Sequence, residues 1–169
     1  MKEFKSALSG FKKTTDSIRG YAWYDVQSMP KYTNIRSYFL PYIATDLKTG
    51  EFESLRIKAH YTGDKWLFWK KLTVNVDGEN TYIYPPNYSD VKRDNARGDV
   101  WETYDFRATD SDIELLRKIA KSKKTIVRFE GDQYYKDVEV TAADKQGIKQ
   151  MLTAYDIATQ TSFSNSLSI

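Results

Sequence analysis

Residues 71–84 read Lys-Leu-Thr-Val-Asn-Val-Asp-Gly-Glu-Asn-Thr-Tyr-Ile-Tyr, and they contain the strongest local signal for a β-hairpin in the sequence. An Asp-Gly pair between two alternating segments is typical of a two-residue type I′ turn, in which both turn residues have positive φ. The predicted register pairs, across this hairpin, Val76 with Glu79, Val74 with Thr81, and Leu72 with Ile83. Because the hairpin alternates apolar and polar residues, we expect an antiparallel sheet with one buried face.

Strand patterns continue on both sides of the hairpin. Residues 55–61 alternate apolar with polar positions, which places His60 on a polar strand face and predicts that it is exposed. A second hairpin is predicted around residues 125–140, with its turn at Glu130-Gly131-Asp132. Strands therefore dominate the chain outside three helical segments.

Helical periodicity appears in three places. An N-terminal helix is predicted over 2–19, a second over about 111–122 and a third over about 142–157. Ser111 with Glu114 is expected to cap the second helix, and the third is expected to be capped by Thr141 and Asp144.

These elements predict a single α+β domain over residues 1–158, with a twisted antiparallel sheet or β-sandwich and three peripheral helices. Residues 159–169 contain four serines and no charge, and we expect them to form a flexible tail. The predicted parts of the domain are the helix at 2–19, a strand-rich region at 21–107, and a helix–hairpin–helix region at 110–158.

The composition excludes most familiar catalytic designs. The chain has 169 residues, no cysteine and one histidine, so a disulfide scaffold, a thiol nucleophile and a Cys-containing zinc site are ruled out. No two of its eight glycines are closer than ten residues, which excludes both a dinucleotide-binding fingerprint and a Walker loop. We therefore expect no cofactor, no catalytic residue and no enzymatic activity.

Two groups of carboxylates remain as an alternative to that expectation. Facing carboxylates could serve a glycoside hydrolase or bind a hard cation, although interleaved arginines and lysines favour ion pairs and turns, and we expect no metal site. The first group is Asp90, Asp94, Asp99, Glu102 and Asp105, and the second is Glu130, Asp132, Asp137 and Glu139.

The chain has 13 tyrosines, and several of them are expected at one surface of the central hairpin. Lys71, Tyr82 and Tyr84 share the side opposite its apolar residues, with Trp69 one step further along the strand. Aromatic rings beside a cation suit contact with a protein or a glycan. The other interpretation is that a helix covers this side. It is favoured because each of the three predicted amphipathic helices must bury its apolar face against another element.

The turn at residues 129–135 carries three further candidate binding residues. Asp132, Tyr134 and Tyr135 could form a recognition tip, or the two tyrosines could anchor the last helix. Both interpretations stay open on the sequence.

Charge and hydropathy limit the partner and the compartment. The net charge is +3, so nucleic acid is not expected as the main partner, although six basic residues within 117–128 leave that role testable. No apolar run is long enough to span a membrane. If Met1 is the native start, the protein is expected to be cytoplasmic. If an export signal was removed, it is expected to be extracellular or in the cell envelope.

Several motifs together carry a resemblance to a known group of proteins. They are Tyr61-Thr-Gly-Asp-Lys-Trp-Leu-Phe-Trp69, Val76-Asp-Gly78, Pro86-Asn-Tyr88, Val91-Lys-Arg-Asp-Asn95, Trp101-Glu-Thr-Tyr-Asp105, and residues 121–135 followed by the helix from Thr141 to Tyr155. Over about residues 21–155 the chain resembles an uncharacterised domain of bacterial, mainly Gram-positive, secreted proteins and lipoproteins. The resemblance implies a small accessory domain that functions by contact, and it supplies no active site. An export signal or lipid-anchor cysteine, usual in such proteins, is absent from this sequence.

The first functional hypothesis is a non-enzymatic domain that contacts a protein or an envelope component through a tyrosine-rich surface. The second is a phage- or plasmid-type effector that sequesters a host protein in the cytosol. The third is a carboxylate-based hydrolase. The sequence leaves the identity of the partner and the oligomeric state open.

Overall fold

The computed structural model describes the backbone of residues 1–167 and the side chains of residues 1–160, 163 and 167. Its strands form two sheets in which every pairing is antiparallel, so the predicted α+β class is confirmed. The helices are α1 (Lys2–Leu8), α2 (Asp110–Lys121) and α3 (Ala142–Leu167), with a short 3₁₀ turn at Tyr88–Asp90.

The strands of the six-stranded sheet are, in spatial order, β1 (Lys12–Asp16), β2 (Tyr21–Asp25), β3 (Tyr38–Asp46), β4 (Phe52–Gly63), β8 (Asp99–Arg107) and β7 (Val91–Ala96). The four-stranded sheet contains β10 (Tyr135–Glu139), β9 (Thr125–Glu130), β5 (Lys71–Val76) and β6 (Glu79–Ile83), also in spatial order.

The β5–β6 hairpin has the predicted turn and register. Asp77 and Gly78 have φ of 50° and 93°, as a type I′ turn requires. Val74 faces Thr81 and Leu72 faces Ile83. The turn is fixed further because the Asp77 carboxylate accepts hydrogen bonds from the backbone N–H groups of Lys123 and Lys124. These bonds hold the pKa of Asp77 below its ordinary value.

The N-terminal helix is much shorter than the predicted span of 2–19, and that prediction is wrong. The helix α1 ends at Leu8, and the chain then enters strand β1, where Thr14 pairs with Trp23. Gly10 disfavours helix continuation, and the β-branched pair Thr14-Thr15 favours a strand. Phe4 and Leu8 are buried, as their helical spacing indicates.

Both later helices differ in detail from their predicted limits. Helix α2 is capped by Thr109 and Asp112 instead of Ser111 and Glu114, so it begins one residue earlier than predicted. Helix α3 begins as predicted, with the Asp144 N–H donating to Thr141 Oγ1 at 3.0 Å.

Helix α3 continues to Leu167, so its predicted end at about residue 157 is wrong, and residues 159–167 of the expected tail are helical. Ser and Thr are only weakly unfavourable in helices, and no Gly or Pro interrupts the chain after Gly147. The Thr159 hydroxyl also donates to the Tyr155 carbonyl one turn earlier. Residues 168 and 169 lie outside the described residues.

One hydrophobic core joins the two sheets and the helices. Helix α3 packs against α1, α2 and β3. Gly147 permits a close approach, since a Cβ there would lie 2.9 Å from Val26 Cβ. The helices therefore pack against one another and against the six-stranded sheet.

His60 is buried, which contradicts its predicted exposure. The segment between β2 and β3 covers its face of the sheet, and the Thr33 carbonyl in this segment accepts a 2.7 Å bond from His60 Nε2. The neutral ring then accepts at Nδ1 from the Thr103 hydroxyl, at 2.6 Å. Tyr38 stacks on the imidazole with a centroid distance of 4.9 Å. Alternation located the correct face, but a loop from elsewhere in the chain covers it.

A buried ion pair fixes the segment that carries the chain from one sheet to the other. Glu102, on β8, is fully buried, and its carboxylate accepts bonds from three successive backbone N–H groups, those of Leu67, Phe68 and Trp69, at 2.7, 3.1 and 3.1 Å. Arg93 on the neighbouring strand donates from Nε to Glu102 Oε1 at 2.9 Å. Three N–H groups converging on one anion form a nest.

The same cluster also provides hydrogen-bond partners for two further polar groups of the connecting segment, both in Trp69. The Trp69 indole N–H donates to the Glu102 carbonyl, and the Arg93 guanidinium donates to the Trp69 carbonyl. Phe68 has φ of 50°, a conformation unfavourable for a bulky residue, and the bonds to Glu102 hold it there.

We expect Glu102→Ala to lower the free energy of unfolding by about 3–5 kcal/mol, because it leaves the Arg93 charge and the nest N–H groups without their acceptor. Glu114→Ala is the matched control, since Glu114 is exposed and lies 3.6 Å from Arg117, and it should change the value by about 1 kcal/mol or less. Urea unfolding of both variants provides the measurement. Equal effects would contradict a central role for Glu102.

The single histidine predicts a pH dependence of stability. Burial, aided by nearby Lys58, lowers the pKa of His60 below its ordinary value of 6.5. The unfolded chain then binds the proton more readily, so the contribution is complete above pH 6.5 and is lost as pH falls toward the folded pKa. Unfolding free energies from about pH 8 to about pH 5 should therefore fall more steeply for the parent protein than for His60→Gln.

Asp25 titrates in the opposite sense, because burial raises its pKa, but both proteins retain it. The difference between the two pH profiles therefore isolates His60. Parallel profiles would show that His60 does not gain a proton on unfolding in this pH range.

Candidate binding face

The outward side of the four-stranded sheet brings most of the sequence-predicted binding residues together. Alternate residues of each strand point away from the core and align across the strands. We define the outer face by the twelve residues of three rows: Tyr84, Lys71, Glu130 and Tyr135; Tyr82, Thr73, Arg128 and Asp137; and Asn80, Asn75, Ile126 and Glu139. Tyr84 directly follows β6, and the other residues lie within the paired strands.

Within residues 1–167, no helix covers the tyrosines of the outer face. The exposed fractions of Tyr82, Tyr84 and Tyr135 are 52, 61 and 61%. The interpretation that a helix covers this side of the hairpin is therefore wrong. The helix with the longest apolar stripe, α3, packs against the other two helices and β3 instead.

The charged residues of the outer face form ion pairs within the sheet. Arg128 on β9 and Asp137 on β10 make a two-bond pair, at 2.7 and 2.9 Å. Lys71 lies 3.9 Å from Glu130, which also accepts from the Thr73 hydroxyl. The bonds from Arg128 hold the pKa of Asp137 below its ordinary value. The paired charges form a fixed polar centre between the tyrosines.

Cations orient the tyrosine rings. Lys71 Nζ lies 4.7 Å from the centroid of Tyr82 and 6.0 Å from that of Tyr84. The Arg128 guanidinium carbon lies 4.1 Å from the centroid of Tyr135. These are cation–π distances, and the exposed fractions show that more than half of each side chain stays accessible.

The β9–β10 turn lies at one end of the outer face. Asp132 pairs with Lys70, and Tyr134 is 60% exposed. Gly131 is required there because a Cβ would lie only 2.0 Å from the Leu67 carbonyl oxygen. The turn and the segment held by Glu102 are therefore packed backbone to backbone. Neither Tyr134 nor Tyr135 has the burial expected of an anchor for the last helix.

Trp69 is the predicted binding residue that the structure removes from the surface. Its side chain is fully buried, with the ring centroid 5.4 Å from that of Phe129. The sequence placed it on the Lys71 side by extending strand alternation, but the chain leaves strand geometry at Phe68. The indole consequently points into the core.

Sequence reasoning missed the polar centre of the outer face. Arg128 and Asp137 reach it because β9 pairs with β5, a contact between segments that are far apart in the chain. Sequence reasoning also missed an aromatic cluster, in which the exposed ring of Phe68 stacks on the half-buried ring of Trp66 with a centroid distance of 5.7 Å. The Arg93 guanidinium carbon lies 5.8 Å from the centroid of Phe68 and 4.2 Å from that of Tyr88. The run of apolar residues at 66–69 was its only signal.

Several of the carboxylates considered for a hydrolase are engaged in structural contacts. Glu102 is buried with Arg93, and Asp105 accepts bonds from the Tyr42 hydroxyl at 2.8 Å and Arg56 Nε at 3.0 Å. Among the residues that the structure describes, no group of three or more His, Asp and Glu side chains is arranged to hold a metal ion. The ion-pair interpretation accounts for this geometry.

Comparisons with known proteins add no relative. No family model, curated protein or solved structure matches the chain. Within residues 1–167, none of the helices is both long enough and apolar enough to cross a membrane. These comparisons therefore contribute nothing to an assignment of function.

Because the tyrosines of the outer face and the turn are exposed, we expect Tyr82→Ala, Tyr84→Ala, Tyr134→Ala and Tyr135→Ala each to change the unfolding free energy by about 1 kcal/mol or less. Tyr61→Ala is the buried control. Its ring packs near Phe129 and its hydroxyl donates to the Lys65 carbonyl, so a loss of about 3–5 kcal/mol is expected. Urea unfolding measures both sets. A large loss in the exposed set would mean that these rings are structural.

Proposed function

We propose that this protein is a non-enzymatic binding module that contacts a protein or a cell-envelope component through the outer face. The observation that carries the proposal is the set of three exposed tyrosines, Tyr82, Tyr84 and Tyr135, around a polar centre that no other part of the described chain covers. Tyrosine provides a large contact area and loses little conformational entropy on binding.

Preorganisation also supports a binding role. Ion pairs and cation–π contacts hold the side chains of Arg128, Asp137 and Lys71 in place before a partner arrives. Ordering such side chains normally opposes binding by about 0.5–1.5 kcal/mol each, and an ordered surface avoids part of this cost. The resemblance to a domain of secreted proteins and lipoproteins favours an envelope component as partner.

Affinity capture from the native cell tests the proposal. The immobilised protein is exposed separately to the cytosolic and envelope fractions, and retention is compared with that of the double variant Tyr82→Ala/Tyr135→Ala. We expect the parent to retain an envelope component and the variant to retain no more than about a tenth as much, a loss typical of residues that dominate an interface.

The matched control is Tyr32→Ala/Tyr88→Ala. Tyr32 and Tyr88 are as exposed as the two outer-face tyrosines but lie outside the outer face, so this variant should retain as much as the parent. Equal retention by the parent and both variants would contradict the outer face as the binding surface. Retention from the cytosolic fraction alone would favour an effector that sequesters a cytosolic protein.

A further inference from the structure

We propose that the occupant of the outer face is an uncharged oligosaccharide, which lies across the four strands between Tyr84 and Tyr135. The inference rests on the proposed function and names the chemistry of its partner. It follows from the charges, the apolar content and the spacing of the outer face, taken in turn.

The charges of the outer face leave no excess to attract a polyanion. Its two cations, Lys71 and Arg128, each have a carboxylate partner within the sheet, and Glu139 adds one further negative charge. A polyanion would require unpaired cations along its path, since its affinity comes largely from their neutralisation of its charges. The pairing of these charges favours an uncharged ligand.

The apolar content argues against a protein as occupant. Protein–protein interfaces have apolar centres that are depleted of charged residues. The middle of the outer face is instead occupied by charged residues, and Ile126 is the single aliphatic residue among its twelve positions. A protein partner would have to desolvate the Arg128–Asp137 pair, and beyond the three tyrosine rings and Ile126 the outer face offers it no apolar contacts in return.

The same composition matches a sugar chain. A pyranose ring has C–H groups on its faces and hydroxyl groups around its rim. The electron-rich face of a tyrosine attracts such C–H groups, whereas carboxylates, amides and hydroxyls exchange hydrogen bonds with the rim. The outer face offers both kinds of group side by side, with Thr73, Asn75 and Asn80 in addition to the paired charges.

The spacing sets the size of the ligand. Tyr82 and Tyr84 are two residues apart on one strand, about 7 Å. Tyr135 lies on the opposite edge strand, three strand spacings or about 14 Å away. Aromatic platforms at both edges with a polar centre between them suit an oligosaccharide of several rings rather than one monosaccharide.

Titration calorimetry with defined neutral oligosaccharides tests the inference. The probes are cellohexaose, maltohexaose, mannohexaose and N-acetylated chitohexaose, with heparin as the polyanion. We expect at least one neutral probe to bind, with a dissociation constant that changes less than about twofold between low and high salt because no counterions are released.

Variants connect any binding to the outer face. Tyr82→Ala/Tyr135→Ala should weaken the neutral probe at least tenfold, whereas Tyr82→Phe, which keeps the ring, should stay within about threefold of the parent. Tyr32→Ala/Tyr88→Ala is again the control outside the face. Neutral-probe binding that survives loss of the Tyr82 and Tyr135 rings would overturn the inference.

The captured envelope component separates failure of this inference from failure of the proposed function. If the occupant is a glycan, periodate oxidation of the component should abolish its capture and protease treatment should not. If protease alone abolishes capture and no neutral probe binds, the outer face is a protein-binding surface: the inference fails and the proposed function stands. If the double variant captures as much as the parent, both fail.

Discussion

The carboxylate of Glu102 is the interaction on which the remaining architecture depends. It is the common acceptor for Arg93 and for three successive N–H groups of the segment that links the two sheets. A bulky residue, Phe68, is thereby held in the left-handed region. The Leu67 carbonyl then lies against Gly131, which positions the β9–β10 turn and one end of the outer face. A buried charge is costly unless every neighbouring group is arranged around it, and here the arrangement defines the path of the chain.

The outer face is open because the helices are used elsewhere. Helix α3 is long enough to cover a sheet, yet most of its contacts are with α1, α2 and β3. A sheet with one covered and one exposed face normally carries scattered polar residues on the exposed side. This one carries three tyrosines held by cations, and the ion pairs between them are internal to the face. An ordinary solvent-exposed sheet face needs only polar side chains and does not require aromatic rings held beside cations.

Local patterns allowed part of the fold to be predicted, and long-range contacts explain what was missed. Asp77-Gly78 gave the correct turn and register because a type I′ turn is specified by its own two residues. The predicted exposure of His60 was wrong because the covering segment, which includes Thr33, approaches from outside its strand. The prediction of a helix over 2–19 relied on the spacing of apolar residues. It gave too little weight to Gly10 and to the β-branched residues that follow.

The residues of the candidate site likewise fall into those that local sequence predicts and those that depend on long-range strand pairing. The sequence supplied Lys71, Tyr82 and Tyr84, which share one hairpin, and the turn residues near Tyr135. Arg128 and Asp137 could not be added, because their place depends on which strand lies beside β5, and a single sequence does not specify that pairing. Trp69 was misplaced because a non-glycine residue with positive φ interrupts the strand.

The strict alternation in β9 has a consequence for how this surface can evolve. Val127 and Phe129 are buried in the core, whereas the residues that alternate with them, Ile126, Arg128 and Glu130, face outward. Substitutions in one set can therefore accumulate with little effect on the other, so the outward residues can vary without destabilising the core. Gly131 is the exception, because any side chain there displaces the turn, so variation of this surface should leave that position unchanged.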